Sequence, residues 1–243
     1  ITDLDRSLDF YTRVIGLSVH ARDKQSAALG TGAEDLVTLR MQPGARPAGR
    51  HAGLYHYALL FPTREELARV ARRVATSRTR IDGASDHGTH EAIYLPDPDG
   101  IGIELAADRA RERWPDLRST AFYANGPQPL DLGALFAAIG EEPTRTQAEG
   151  ALAIGHLHLH VGDLEAADGF YRHGLGFELM TSMPTAAFVS AGGYHHHVAY
   201  NVWRGAGVGP RRAVGPVLEE GPRDPVADGE ARHAGAERDD LTG

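Results

Sequence analysis

The sequence predicts an α+β protein built from a repeated unit in which a strand leads into a helix and further strands follow. Three observations predict it. Asp3-Leu4-Asp5, Phe10-Tyr11 and Gly16-Leu17 recur at an offset of 160 as Asp163-Leu164-Glu165, Phe170-Tyr171 and Gly176-Phe177. Five of the fifteen positions from Asp3 to Leu17 are identical at that offset and three more are conservative, which marks a duplication. Gly155 to Val161 alternates His156, His158 and His160 with Leu157, Leu159 and Val161, the period of a strand with one imidazole face. Between the copies, Gly53 to Phe61 reads as the strand that opens a related unit.

Each copy begins with an acid-started helix, its apolar side carrying Leu8, Tyr11 and Ile15 in the first case, and closes on a Gly suited to a left-handed cap. By the same offset the first copy's opening strand is expected before Ile1, so the first strand is expected to be missing. The sheet edge it would leave is expected to make the chain marginal or prone to pair with another chain. In the middle unit Thr63 and Glu66 form a capping box, and Leu67, Val70, Ala71 and Val74 make one apolar helical stripe. Strands are expected around Ala92 to Leu95 and from Ile101 to Leu105, joined by a turn at Pro96-Asp97-Pro98-Asp99-Gly100. That turn lacks the spaced acids of a calcium loop.

These elements divide the chain into a first half at 1–106, a connector at 107–150 with one short helix around Leu130 to Ile139, a second half at 151–203, and a tail at 204–243. The tail is rich in Gly, Pro and charge and is expected to be disordered, so a fourth unit is also expected to be missing.

Composition bounds the function. A charge of −8, from 33 acidic and 25 basic residues without an overriding basic patch, makes nucleic acid an unexpected partner. No apolar run approaches the roughly 18 residues of a membrane span. The absence of Cys removes disulfides, thiolate metal sites and a Cys nucleophile, leaving His and carboxylate as the strong metal ligands. Phosphate-loop, serine-hydrolase and dinucleotide motifs do not occur. No basic, apolar leader opens the chain, which gives the expectation of a cytoplasmic protein; a start at Ile1 instead of Met points to a true N-terminus further upstream.

A unit carrying D-L-x-x-(S/A)-x-x-F-Y-x-x-x-(L/I)-G-(L/F), partnered by a D-P-D-G-x-x-I-E-L hairpin, resembles the vicinal oxygen chelate superfamily of glyoxalases, bleomycin-resistance proteins and extradiol dioxygenases. GLYHYALLFPTREELA, DPDGIGIELAADR, IGHLHLHVGDLEAADGFY and SAGGYHHHVAYNVW are similar, more narrowly, to its catechol 2,3-dioxygenase-like branch. The resemblance spans roughly residues 1 to 203. It implies βαβββ units rolled into cup-shaped, mostly antiparallel mixed sheets around a divalent metal.

The resemblance also places ligands. The superfamily's first-strand ligand precedes the D of D-L-x-x-S by seven residues, which is His156 here; the middle unit's equivalent is His56, and the hairpin carboxylate is Glu104. Two imidazoles and one carboxylate leave metal positions open for substrate and oxygen. His156 lies in a different unit from the other two, so either the second and third units share one cup or His156 belongs to another cavity, with the missing first strand supplying the third ligand. Fe(II) is the expected metal, with Mn(II), Zn(II) or Ni(II) as alternatives. His195, His196 and His197 are expected on the third unit's last strand, with His196 or the His195/His197 face lining the site. His158 beside a metal could shuttle a phenolic proton, and Tyr194 or Tyr57 could orient substrate.

The expected function is extradiol-type ring cleavage of a catechol-like aromatic by O2. A glyoxalase-like isomerase or lyase and a non-catalytic small-molecule binder are the alternatives. Homo-oligomers are a further expectation.

Overall fold

The computed structural model describes residues 1–47, 49–119 and 126–210. Helix α1 (Leu4–Asp9) is capped by Asp3, whose carboxylate accepts from the Arg6 amide, and it widens into a π turn over Phe10–Ile15 before Gly16 closes it at φ 92°. The second copy repeats this at α4 (Leu164–Asp168), with Asp163 as cap and a π turn over Gly169–Gly174. Its Gly176 is also left-handed, at φ 80°.

Strands β1 (Ser18–Arg22), β2 (Ser26–Thr31) and β3 (Glu34–Arg40) form an antiparallel sheet of three. The middle unit gives β4 (Gly53–Phe61), α2 (Arg64–Thr76), β5 (Gly83–Asp86), β6 (His90–Pro96) and β7 (Gly102–Asp108). Thr63 caps α2 by accepting from Glu66 N–H, but the Glu66 carboxylate turns to Arg69. Only half of the expected capping box therefore forms. The stripe Leu67, Val70, Ala71 and Val74 is buried against the sheet, as its spacing requires. Arg73, also buried, donates to the carbonyls of Val14 and Ile15 and so ties the end of the first helix to α2.

The connector contributes β8 (Gln128–Pro129), which pairs with β5, and α3 (Leu132–Ala137), whose Leu135 is fully buried in the main core. Then follow β9 (Ala153–His160), α4, β10 (Glu178–Met183), β11 (Ala186–Ser190) and β12 (Val198–Asn201).

The larger sheet has the order β10-β11-β12-β9-β4-β7-β6-β5-β8. Each unit's first strand lies beside its last, β4 parallel to β7 and β9 parallel to β12, and the two first strands pair antiparallel at the centre. Two βαβββ units thus meet in one curled sheet, and the expected halves share it. The apolar face of β4, β6 and β7 packs on α1, α2 and the three-stranded sheet, while a smaller cluster around Tyr200 and Val189 covers the third unit.

The tail expected from 204 is part of the fold as far as Pro210: Gly207 donates to the Gly162 carbonyl, and Pro210 bridges Ala52. Residues 211–243 lie outside the described residues. No helix among the described residues is long and apolar enough to cross a membrane.

Candidate metal centre

The antiparallel pairing of β4 and β9 settles which units share a cup: the second and third do. It brings His56 from β4, Glu104 from β7 and His156 from β9 together, each at least 95% buried. The Nε2 atoms of His56 and His156 both lie 3.0 Å from Glu104 Oε2. His90, at the start of β6, places its Nε2 3.0 Å from the other oxygen, Oε1.

Local sequence makes this approach feasible. His56 stands opposite Gly102 in the β4/β7 register, and a Cβ at position 102 would lie 2.3 Å from the Tyr55 carbonyl oxygen and 3.0 Å from His56 Cβ. Glycine is what lets β7 come close enough. A β-bulge falls at Tyr55, because Leu54 pairs with Leu159 and His56 with His158, so Tyr55 and His56 both face the cavity.

Burial pushes the Glu104 carboxyl up, but the charge and hydrogen bond of His156 and the contacts of His56 and His90 outweigh it, holding Glu104 well below the usual carboxylate range. Burial lowers His156, against the opposing pull of the Glu104 charge. Metal ligation calls for an ionised carboxylate and unprotonated imidazole nitrogens. His56 Nε2 is buried without a hydrogen-bond partner, since its contact with Glu104 lies outside bonding geometry. Such an orphan is uncommon in a native interior, and together with the 3.0 Å donor spacings it fits a divalent cation at this point. The three donor atoms lie within 4.8 Å of one another.

The centre opens into a cavity of about 400 Å³ walled by Tyr55, Phe188, Met183, Leu117 and Trp203. His158 lines it, but its Nε2 is 2.8 Å from Asn201 Nδ2, and Asn201 Oδ1 also bonds His160. The His195–His197 run departs from expectation: it lies in the connection between β11 and β12, where strand alternation does not apply. His195 and His196 both face the cavity, whereas His197 turns away to Ser190. Tyr194 stands behind His195, ring centroids 4.0 Å apart, and is not part of the cavity wall. Tyr57 faces the main core, its hydroxyl 2.9 Å from that of Tyr11. It does not line the cavity.

Sequence reasoning did not single out His87, His90, Asp108 or Trp203. Alternation from Tyr94 back through Ala92 to His90 would have placed His90 on the Glu104 side. His87 stacks on His90 at 4.5 Å, and His195 on its other side at the same distance.

A curled sheet of paired βαβββ units rolled into a cup is the vicinal oxygen chelate fold, and the imidazole and carboxylate donors at its centre could hold a metal ion. The chain belongs to the Glyoxalase/Bleomycin resistance protein/Dioxygenase superfamily, whose profile matches residues 1–105, and a Bleomycin resistance protein-like N-terminal profile matches residues 154–192. It is 40% identical over 216 residues to Catechol-2,3-dioxygenase of Bacillus subtilis (strain 168), covering 87% of this chain and 75% of that protein. To Lactoylglutathione lyase of Escherichia coli O157:H7 it is 30% identical over 118 residues, covering 45% of this chain and 87% of the relative. Among solved structures, a proposed dioxygenase from Bacillus subtilis subsp. subtilis str. 168 superposes with a TM-score of 0.54 at 15% identity, over 83% of this chain and 61% of that one. A glyoxalase I variant from Zea mays gives 0.51 at 20% identity, over 86% and 67% respectively. These two likenesses concern the fold.

Proposed function

We propose that this chain is an extradiol-type ring-cleaving dioxygenase that uses Fe(II), held by His56, Glu104 and His156, to open a catechol-like aromatic with O2. The observation that carries the reading is an asymmetry inside the cup. Ala58, two residues past His56, pairs with Glu104; His158, two residues past His156, pairs with Ala199. The repeat thus puts Ala199 where a second carboxylate would stand. The donor set is two imidazoles and one carboxylate, with one flank left open.

Fe(II) in that set would supply the redox chemistry and a charge that acidifies catechol hydroxyls. The chain's own residues do the rest. Tyr55, Phe188 and Trp203 offer flat apolar surfaces for an aromatic ring and exclude water from it. His158 Nε2 is occupied by the Asn201 amide, which leaves His196 as the wall imidazole to take up a phenolic proton. A glyoxalase-like isomerase would call on a carboxylate as base, yet both Glu104 oxygens are engaged, Oε1 by His90 and Oε2 by His156.

The test is anaerobic reconstitution with Fe(II), followed by catechol and oxygen. Appearance of the ring-cleavage chromophore, absent with Zn(II), is expected. Iron-loaded protein that binds catechol without consuming oxygen would leave the non-catalytic reading in its place.

A further inference from the structure

The two repeat helices carry the same motif but bury it to different degrees. At the offset of 160, Phe10 and Ile15 of the first unit correspond to Phe170 and Leu175 of the third. Phe10 is 7% and Ile15 0% exposed, whereas Phe170 is 58% and Leu175 57% exposed. A neighbouring helix makes the difference. The first π turn packs on α2, and Arg73 of α2 closes it by donating to the carbonyls of Val14 and Ile15. Among the described residues no second helix covers the third unit's π turn in this way.

The third unit does not use those two side chains to hold itself together. Leu164, Ala167 and Tyr171 face the sheet and fill the cluster around Val189 and Tyr200, the Tyr171 and Tyr200 rings stacking at 5.4 Å. Phe170 and Leu175 stand outside that cluster. The outward side has also lost its charge: where the first helix exposes Arg6, Asp9 and Arg13, the third unit has Ala166, Gly169 and His173. Large apolar groups in a strip without permanent charge are what the core of an interface requires.

The strip is complementary to itself. Phe170 stands beside the bare backbone of Gly169 and the methyl of Ala166, so one strip carries both a knob and a recess. Its ends differ in charge, with Asp163 and Glu165 at the start, and Arg172, paired within the helix to Asp168, beside His173 at the finish. Two such segments laid antiparallel about a two-fold axis would seat each Phe170 against the other's small residues and bring acids opposite bases at both ends. A parallel pair would set acid against acid. Residues 211–243 offer no comparable strip, since their few apolar residues lie among charge, Gly and Pro.

We propose that α4 and its π turn form the interface of a two-fold dimer of this chain, burying Phe170 and Leu175 under the partner's helix as α2 buries Phe10 and Ile15. Alternation along β9 puts His156 and His158 on the opposite face from Leu159, which packs with the α4 cluster. Both cups therefore stay open in the dimer, and the contact does not depend on what they catalyse.

Sedimentation velocity of the full chain tests this. The parent should sediment as a dimer at micromolar concentration. Phe170→Glu or Leu175→Glu places a carboxylate in the interface twice, and the dissociation constant should rise by about 30-fold or more, with far-UV circular dichroism unchanged. p-Benzoylphenylalanine in place of Phe170 keeps an aromatic ring there; on irradiation it should join two chains, with the linked peptide lying within 164–177. A parent that is monomeric at about 100 µM overturns the proposal. So does a dimer that both Glu variants leave intact, or a crosslink to another segment, whether 211–243 of the same chain or the three-stranded sheet of another. If a Glu variant does not fold, the crosslink decides alone.

Discussion

Glu104 sits at 1% exposure with three imidazoles within 3.0 Å of its two oxygens, so its carboxylate is stabilised by contacts that a cation would inherit. Replacing His56, Glu104 or His156 by Ala removes one of three proposed donors. Metal affinity measured by competition with a chromophoric chelator should fall well beyond the ~10 to 100-fold typical of changes in residues that only support a ligand. A variant of any of the three that keeps parental affinity would remove that residue from the site. Proton linkage gives a second test. Burial lowers His87 to about 3 and His195 to about 4, whereas an unfolded histidine titrates near 6.5. Between about pH 6.5 and 4 the unfolded chain therefore binds more protons, and stability is lost on acidification at up to about 1.4 kcal/mol per pH unit for each ring. Urea midpoints of the metal-free chain should fall steadily across that window; a flat profile would mean that these rings are solvated. Resemblance to the superfamily's motifs singles out His156 and Glu104; the alternation of GHLHLHV by itself gives only a strand with one imidazole face. His90 goes unmarked: alternation back from Tyr94 puts it on the Glu104 side, but a single imidazole at a strand start has no second one beside it to mark the face.

Strand β7 can approach β4 only because residue 102 has no side chain. Gly102→Ala would press a methyl against the Tyr55 carbonyl and His56, costing about 1 to 3 kcal/mol by overpacking and displacing a proposed ligand. Melting temperature and metal affinity should drop together. A fall in stability with affinity intact would show that His56 does not depend on this contact. The strands and helices were largely readable from period, caps and turn residues. Two departures share a cause: local pattern does not report what a neighbouring element demands. The three-His run looks like strand, yet it lies in the connection from β11 to β12, where consecutive His195 and His196 both face inward. Both repeat helices look like plain α-helix, yet each ends in a π turn.

Two copies of one unit, laid first strand to first strand, would make a cup whose sides are chemically alike. The pairing itself could not be read from the sequence, since an offset reveals duplication but not which copies touch. In the structure the two sides differ at the position of the ligand carboxylate, Glu104 on one and Ala199 on the other. Ala199→Glu should restore a fourth donor: metal should bind more tightly, and ring cleavage should fall because an open position is filled. Tighter binding without loss of turnover would mean that the open flank is not where substrate enters. The difference has a further consequence, for regiochemistry. A catechol with one substituent can lie in the cup in two ways, which a symmetric vessel could not tell apart. Here the two poses meet a carboxylate edge on one side and a methyl on the other, so the ring should open at one of its two inequivalent bonds. 4-Methylcatechol should yield one dominant ring-opened isomer by chromatography, and an even mixture would mean that the substrate does not feel which side it faces.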